Sequence, residues 1–266
     1  MTTSTDDLSP EDIEFFDREG YLVFEDFIEP DLNQRLMADV DAMIEDRQNE
    51  TQRRLIDYPE LGLLTSHPPM MGKIESVMNS TFAMHHIHAA RHDAGSGGVA
   101  WHQDYAQLPH TNRSHAMVHI FYYLNGLNGE IGDLLFVPGS QKSIVSDGAL
   151  QIMGDGDLPG MVCVDTLPSG SAIMVHSALW HARRAKPGGE DMPRYFIDVS
   201  YCQNGVTWPG YGSHKAINAR ALELGLDREG RYAHVYDSST FFDAHEYRSD
   251  FDTRNQGSLV LQLKDL

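Results

Sequence analysis

The sequence has little cysteine and no long uninterrupted apolar run. Only two cysteines, Cys163 and Cys202, occur in 266 residues, which excludes a small disulfide framework, and neither belongs to a Cys-x-x-Cys metal motif. Both stand in apolar or strand-like surroundings, so we expect two buried structural thiols. No apolar run approaches the roughly 18 to 20 residues that span a bilayer, so no membrane partner is expected.

Basic residues are also scarce. Lysine and arginine number 20 against 39 aspartates and glutamates, which gives a formal net charge of −19. A surface of this sign repels phosphate backbones, so we expect a small-molecule substrate and no nucleic acid partner. Residues 1–7 are polar and acidic and lack the basic start and apolar stretch of a signal peptide, which favours a cytoplasmic protein.

Two helices are predicted in the first part of the chain, over residues 9–48. Ser9 is a favourable N-cap before a proline, and Gly20 is placed to end the helix that it opens. Pro30 opens a second, longer helix whose apolar residues recur at helical spacing. A weaker pattern follows, which predicts loop with some local helix and then one short helix, over residues 49–69 and 71–78.

The pattern changes at Phe82, where short strand-like runs separated by glycine, proline and asparagine begin. These runs cover residues 82–90, 116–124, 133–137, 171–175 and 194–202. So many short strands predict a sandwich or barrel, and the preceding helices make the fold class α+β. No linker-like composition separates this β core, about 82–202, from a C-terminal extension over 206–266 that includes a helix predicted at 216–224. We therefore expect a single domain over 1–266.

A histidine and an aspartate stand two residues apart, at His102 and Asp104. On an extended chain they point to the same face, and an imidazole with a carboxylate suits iron(II). A third ligand is needed, and His176 and His181 are both candidates. On its own, a His-x-Asp pair in a chain with 14 histidines is more often an ordinary hydrogen-bonded histidine. Arg194, on a later strand-like run, has the side chain best suited to grip a carboxylate.

Taken together, these segments resemble the phytanoyl-CoA dioxygenase family of iron- and 2-oxoglutarate-dependent oxygenases. The resemblance extends from about Ser9 to Tyr201. It is carried by Arg194 and by residues 17–23, 101–104, 135–142 and 170–181. It implies a double-stranded β-helix, the jelly-roll core of cupin-like folds, flanked by N-terminal helices. It also implies Fe(II), 2-oxoglutarate and O2 as cofactors.

The resemblance assigns roles to individual residues. It implies that His102, Asp104 and His181 are the iron ligands and the catalytic centre, and that His176 is not a ligand. It gives Arg194 the role of binding 2-oxoglutarate and places Gln103 near the cofactor. Two departures stand out. Where relatives have Gly and Ser or Thr after the third ligand, this chain has Ala182 and Arg183, and residues 187–189 form a small insertion before Arg194.

The same resemblance bears on the reaction. Halogenating relatives lack the ligand carboxylate, whereas Asp104 retains it, which favours a hydroxylase. The expected reaction hydroxylates or otherwise oxidises an unactivated C–H bond of a small metabolite or natural-product intermediate, giving succinate and CO2. Two alternatives remain open: a non-catalytic cupin-like protein that binds or senses a metal or small molecule, and a cupin-type metal enzyme that does not use 2-oxoglutarate. Dependence on 2-oxoglutarate separates these cases.

Substrate contacts are predicted from strand position alone. His86 and His88 share one face of their strand and His85 takes the other, so either the pair or His85 lines the interior. Aromatic residues near the motif are pocket walls or ordinary core, and Arg183 and Arg184 are either anion-binding or solvated. The substrate candidates are His88, Arg91, Tyr105, Phe121 and Arg183.

Overall fold

A computed structural model of the chain describes residues 7–51, 53–108, 112–130, 132–145, 147–185, 192–210 and 213–243. The first four helices are α1 (Pro10–Glu19), α2 (Pro30–Gln48), α3 (Pro59–Leu64) and α4 (Pro68–Met78). Each begins at a proline, whose missing N–H and fixed φ suit the first helical position. The weakly patterned stretch before residue 69 is thus more helical than predicted, since it holds α3 and a 3-10 turn at Leu55–Asp57.

The N-cap predicted for α1 is present. The side chain of Ser9 accepts a hydrogen bond from the Asp12 N–H at 3.1 Å, and the Asp12 carboxylate accepts one from the Ser9 N–H at 3.2 Å. Asp12 therefore fills the capping-box role usually held by Glu or Gln. At the other end, Gly20 has φ 87°, the left-handed conformation that ends the helix and turns the chain into the first strand.

The remaining elements are mostly short strands. In chain order they are β1 (Tyr21–Phe24), β2 (Phe82–His92), β3 (Val99–His102), β4 (Met117–Tyr123), β5 (Leu127–Asn128), β6 (Leu134–Phe136), α5 (Asp147–Gln151), β7 (Val162–Val164), β8 (Thr166–Leu167), β9 (Ser171–His176), β10 (His181–Arg183), β11 (Arg194–Gln203), β12 (Trp208–Gly210), α6 (His214–Glu223) and β13 (Phe241–Asp243). All five strands predicted in the β core are present to within a few residues, as β2, β4, β6, β9 and β11.

Two antiparallel sheets form the β core. The major sheet has the order β1-β9-β4-β11-β2, and the minor sheet has the order β3-β10-β6-β7. Among the strands of these two sheets, β2, β3, β4 and β6 lie alternately in the major and the minor sheet, and so do β7, β9, β10 and β11. Residues of both sheets line one cavity. This is the double-stranded β-helix that the family resemblance implies, and the α+β class is confirmed.

Alternation along β4 separates two hydrophobic layers. Ile120 and Tyr122 belong to a large cluster with the N-terminal helices on the outer face of the major sheet, whereas Phe121 and Tyr123 pack inside the β core. The outer cluster also includes Val235 and Tyr236, which follow α6. The helices and the C-terminal segment thereby cover the outer face of the sheet and leave its inner face to the cavity.

The C-terminal helix and one cysteine need separate comment. Helix α6 ends near the predicted Gly225, which has φ 69°, while residues beyond 243 lie outside the described part of the chain. Cys202 is fully buried, but the prediction of a buried Cys163 is wrong, because this residue is exposed. It lies on β7, the edge strand of the minor sheet, and strand alternation turns its side chain to solvent.

Candidate active site

Three predicted ligands come together where β3 and β10 meet. His102 ends β3, His181 begins β10, and the two residues are direct partners across the strand pair. Asp104 follows β3, and its N–H donates to the Ser177 carbonyl at 2.7 Å. One Asp104 oxygen lies 3.7 Å from His102 Nε2 and the other 3.2 Å from His181 Nε2. The donor atoms of the three side chains lie within 4.8 Å of one another, the arrangement that a single metal ion needs.

Backbone carbonyls orient both imidazoles. His102 Nδ1–H donates to the Ala100 carbonyl at 2.7 Å, and His181 Nδ1–H donates to the Leu179 carbonyl at 3.0 Å. These bonds fix the tautomer that leaves the Nε2 lone pairs free, as is usual for histidines that bind a metal. Burial, reinforced by His181, lowers the pKa of His102, which keeps its ring neutral.

The charge of Asp104 is strongly favoured. Burial acts to raise its pKa, but the neighbouring His181, His119 and His102 outweigh burial and hold the pKa well below its usual range. Two imidazoles and one carboxylate form a donor set that suits iron(II) in the facial arrangement of non-haem oxygenases. The residues present therefore fit the metal that the family resemblance implies.

A cavity of about 250 Å³ opens beside these ligands. Its walls come from both sheets and include aromatic rings, histidines and two arginines. The lining consists of the three ligands with His88, His92, Val99, Phe121, Tyr123, Leu134, Ala182, Arg183, Arg194, Phe196 and Asp198. A small molecule bound here lies against the proposed metal centre.

Arg194 lies at the start of β11 and is almost completely buried, with 3% of its surface exposed. Its Nη2 donates to the Tyr123 hydroxyl at 3.4 Å, while Nε and Nη1 make no hydrogen bond within the described residues. Burial lowers the pKa of Arg194. A buried guanidinium that lacks a carboxylate partner is costly, so its N–H groups suit the distal carboxylate of 2-oxoglutarate.

The structure decides which of the other candidates reach the cavity. His88, Phe121 and Arg183 line it. Arg91 does not, because it pairs with outward-facing Tyr195 in the sheet and binds Asp41 at 2.6 Å. Tyr105 and Gln103 do not line the cavity either.

Both of these side chains are engaged elsewhere. Tyr105 donates to the His115 carbonyl and stacks on His176 with centroids 6.1 Å apart. Gln103 points away from the two ligands beside it. It donates to the Val145 carbonyl and accepts from Arg113, each at 3.0 Å. Alternation along the chain separates Gln103 from the cavity, so the structure does not bring it to the cofactor region.

The alternatives for the β2 histidines are also decided. His86 and His88 point inward, and a β-bulge opposite Ser200 and Tyr201 makes His85 the extra residue. The ring of His85 contacts the C-terminal segment, where Nε2 lies 3.0 Å from the Pro209 carbonyl. Arg184, the weaker rival of Arg194, pairs with Asp133 at 3.2 Å outside the cavity. The insertion predicted at residues 187–189 lies outside the described residues.

A second polar cluster was not predicted. His119 Nδ1 lies 2.9 Å from both Asp198 oxygens, and His86 Nε2 lies 3.3 Å from one of them. The Ser200 hydroxyl donates to His86 Nδ1 at 2.6 Å. These side chains are also close enough to hold a metal. Their hydrogen bonds engage both ring nitrogens of His86 and Nδ1 of His119, whereas His119 Nε2 makes none within the described residues. We therefore describe the His86–His119–Asp198 cluster as a hydrogen-bonded network beside the cavity.

The sequence profile of the phytanoyl-CoA dioxygenase family matches residues 16–186, which include all three ligands. The chain belongs to this family. It is a 2-oxoglutarate-dependent non-haem iron oxygenase acting on small molecules, with iron, 2-oxoglutarate and O2 as its cofactors. Arg194 lies beyond the matched residues, so its role depends on the geometry given above.

Solved structures share the fold at low identity. The 2-oxoglutarate-dependent carbocyclase SnoK of nogalamycin biosynthesis is 18% identical, with TM-score 0.61, over 79% of this chain and 91% of SnoK. HygX from Streptomyces hygroscopicus, solved with nickel and 2-oxoglutarate, is 17% identical, with TM-score 0.62, over 78% and 91%. EctD from S. alaskensis, solved with 2-oxoglutarate and 5-hydroxyectoine, is 16% identical, with TM-score 0.60, over 76% and 78%.

The search of curated proteins finds no match to this chain. Among the helices that the structure describes, none combines the length and apolar character needed to cross a membrane.

Proposed function

We propose that this oxygenase hydroxylates an unactivated C–H bond of a small metabolite or natural-product intermediate, with conversion of 2-oxoglutarate to succinate and CO2. The observation that carries this proposal is the His102–Asp104–His181 triad opening onto the same cavity as the buried guanidinium of Arg194, which has no carboxylate partner among the described residues. A protein that only senses a metal has no use for both features in one cavity.

Each residue that lines the cavity has a role that follows from its position. His102, Asp104 and His181 hold the iron, which when bound supplies the oxidising chemistry with O2 and the keto acid. Arg194 holds the far carboxylate and so sets the direction in which the keto acid lies. The rings of Phe121 and Phe196, 5.4 Å apart, keep water away from the adjoining wall of the cavity.

Asp104 decides between hydroxylation and halogenation. Halogenating relatives lack the ligand carboxylate and leave its place to a halide, whereas the low pKa of Asp104 keeps a carboxylate there across the working pH range. Its backbone bond to Ser177 further fixes the carboxylate toward the two imidazoles. Oxidation that ends in hydroxyl transfer is therefore the outcome that we propose.

The substrate lies on the side of the cavity formed by β2 and β4. His88 and Phe121 line this side, and Asp198 brings a carboxylate that is already bonded to His119. These groups favour a modest, polar molecule over a large polyanion, in keeping with a net charge of −19.

The first experiment is an anaerobic titration of purified apo-protein with iron(II) and then 2-oxoglutarate. We expect a weak metal-to-ligand charge-transfer band in visible light when the keto acid chelates the iron. His181→Ala should lose this band, because two ligands remain. The matched variant is His176→Ala, the other histidine that the sequence allows as third ligand, which should retain the band if circular dichroism shows it folded.

Two results would contradict the proposal. Tight iron binding without a band on adding 2-oxoglutarate would indicate a cupin-type enzyme that uses no keto acid. A band with no succinate formed in the presence of O2, over a broad set of candidate substrates, would favour the sensing protein.

A further inference from the structure

A second arginine enters the cavity from the opposite wall. Arg183 lies on β10 of the minor sheet, two residues after His181, and Arg194 lies on β11 of the major sheet. Both line the cavity. A side-chain carbon placed on Gly132 would lie 3.9 Å from Arg183 Cγ and 3.9 Å from Arg194 Nη1. The two side chains therefore approach one point from facing sheets.

Neither guanidinium has an anionic partner among the described residues. Arg183 Nη2 donates to the Gly97 carbonyl, and its Nε is buried without a hydrogen bond. The acidic residues that line the cavity are committed elsewhere, since Asp104 lies among the metal ligands and Asp198 is bonded to His119. Two neighbouring cations without a counter-ion repel each other, so this end of the cavity strongly favours an anion.

A neutral histidine lies beside the two arginines. His92 is the direct partner of Arg194 across β2 and β11, and its Nδ1 is buried without a hydrogen bond within the described residues. Burial, with Arg183 and Arg194 nearby, lowers the pKa of His92 to about 3, so its ring is neutral and acts as a polar wall.

We propose that Arg183 and Arg194 form a two-arginine clamp on the distal carboxylate of 2-oxoglutarate, with Arg183 in the place where relatives carry a hydroxyl. This inference rests on the proposed function, because it needs the keto acid to occupy the cavity. Two residues along a strand span about 7 Å, so Arg183 stands about that far along β10 from the metal ligand His181. The point beside Gly132 that its side chain approaches is also approached by Arg194. A carboxylate there neutralises both cations at once.

The test compares two keto acids that differ only at the distal end. 2-Oxopentanoate carries a methyl group in place of the distal carboxylate, and both acids chelate iron by the same end. Dissociation constants are measured anaerobically from the charge-transfer band of the iron-loaded protein. In Arg183→Ala we expect the constant for 2-oxoglutarate to rise about tenfold or more, which is about 1.4 kcal/mol, and that for 2-oxopentanoate to stay within about twofold.

Two further variants keep the test decisive. Arg183→Gln retains the first part of the apolar stem and an N–H donor without the charge, and it serves if the alanine variant does not fold. Its constant for 2-oxoglutarate should rise while that for 2-oxopentanoate does not. Arg18→Ala removes the same charge from an exposed site, where the side chain is 56% exposed, and should alter neither constant.

Each outcome has one meaning. Weaker binding of 2-oxoglutarate alone supports the clamp. Equal weakening of both keto acids, or unchanged binding of 2-oxoglutarate, overturns it, and the second result leaves Arg183 to an anionic group of the substrate. Failure of the wild-type protein to bind either keto acid refutes the proposed function itself rather than the role of Arg183.

Discussion

Asp198 is a buried carboxylate held by two histidines on neighbouring strands. It accepts from His119 at 2.9 Å and from His86 at 3.3 Å. Burial acts to raise its pKa, but His119 and His86 outweigh this and lower it. Burial acts to lower the pKa of His119, and Asp198 reverses this and raises it. The pair is therefore favoured in its charged form although both residues are buried.

Asp198→Asn should destabilise the protein by about 2 kcal/mol at pH 6, because the amide forms weaker hydrogen bonds to the histidines. The lowered pKa of Asp198 contributes stability above the unfolded value of about 4, and this is lost as the pH falls. The raised pKa of His119 contributes stability that is lost as the pH rises through it. The difference between wild type and variant should therefore peak in between, which denaturant unfolding at several pH values measures.

Asp93→Asn is the matched control for this comparison. Its side chain is 66% exposed and pairs with Arg91 at the surface, so its removal should cost under about 1 kcal/mol. An Asp198 variant whose deficit is equally small, or is the same at every pH, would show that the buried pair contributes no net stability.

At the scale of elements, Gly20 joins α1 to β1 above the loop that leads to His181. Its carbonyl accepts from the His176 N–H at 2.8 Å. A Cβ at this position would lie 2.7 Å from the side chain of Gln141 and 2.9 Å from that of Leu179. The positive φ and the close approach therefore both require glycine here.

Gly20→Ala and Gly225→Ala separate these two requirements. Both residues have positive φ, 87° and 69°, but a Cβ on Gly225 would meet nothing within 4 Å. We expect Gly225→Ala to cost about 1 kcal/mol for the backbone, and Gly20→Ala to cost about 1 to 3 kcal/mol more because it overpacks its neighbours. Thermal and denaturant unfolding measure both, and equal losses would rule out the packing contribution at Gly20.

Elements that are marked by residues at their own ends could be predicted from the sequence. Features that depend on contacts with distant parts of the chain could not. Ser9 and Gly20 delimit α1 through bonds within a few residues of themselves, so the sequence alone locates the helix. For residues 49–69 the sequence predicts only some local helix, and the bounds of α3 could not be predicted because it has only six residues, too few for a periodic pattern. The exposure of Cys163 depends on β7 being an edge strand, a property of the whole sheet.

The candidate site divides in the same way. His102 and Asp104 lie two residues apart and Arg194 begins a strand-like run, so their motif and their order in the chain were enough to predict them as site residues. His119 and Asp198 belong to no motif, and only the register between β4 and β11 brings them together. Gln103 was placed near the cofactor by resemblance, although its own alternation with the ligands turns it away.

At the scale of the whole molecule, several buried histidines are neutral although the protein carries a formal net charge of −19. Burial, with the nearby His86 acting in the same direction, lowers the pKa of His85 to about 3. Burial and Arg113 lower that of His176 to about 4. Both rings serve the fold through bonds to the backbone, since His176 Nδ1 accepts from the Ala178 N–H at 3.1 Å and His85 contacts the Pro209 carbonyl. Neither ring is one of the three proposed ligands.

These histidines should make the fold sensitive to mild acid. Below about pH 6.5 the unfolded chain binds a proton at each histidine while the folded chain does not, so stability falls with pH until the folded pKa is reached. At pH 5 each buried histidine costs about 2 kcal/mol relative to pH 8. Denaturant unfolding at the two pH values should show a wild-type loss of at least this size.

His85→Gln isolates one of these contributions, because glutamine can still donate to the Pro209 carbonyl but does not titrate. This variant should lose about 2 kcal/mol less than wild type between pH 8 and pH 5. The acidic surface is the same in both proteins, so its partial neutralisation cancels in the comparison. Equal losses would mean that His85 is already protonated in the folded protein at pH 5, with the positive charge stabilised inside the contact between β2 and the C-terminal segment.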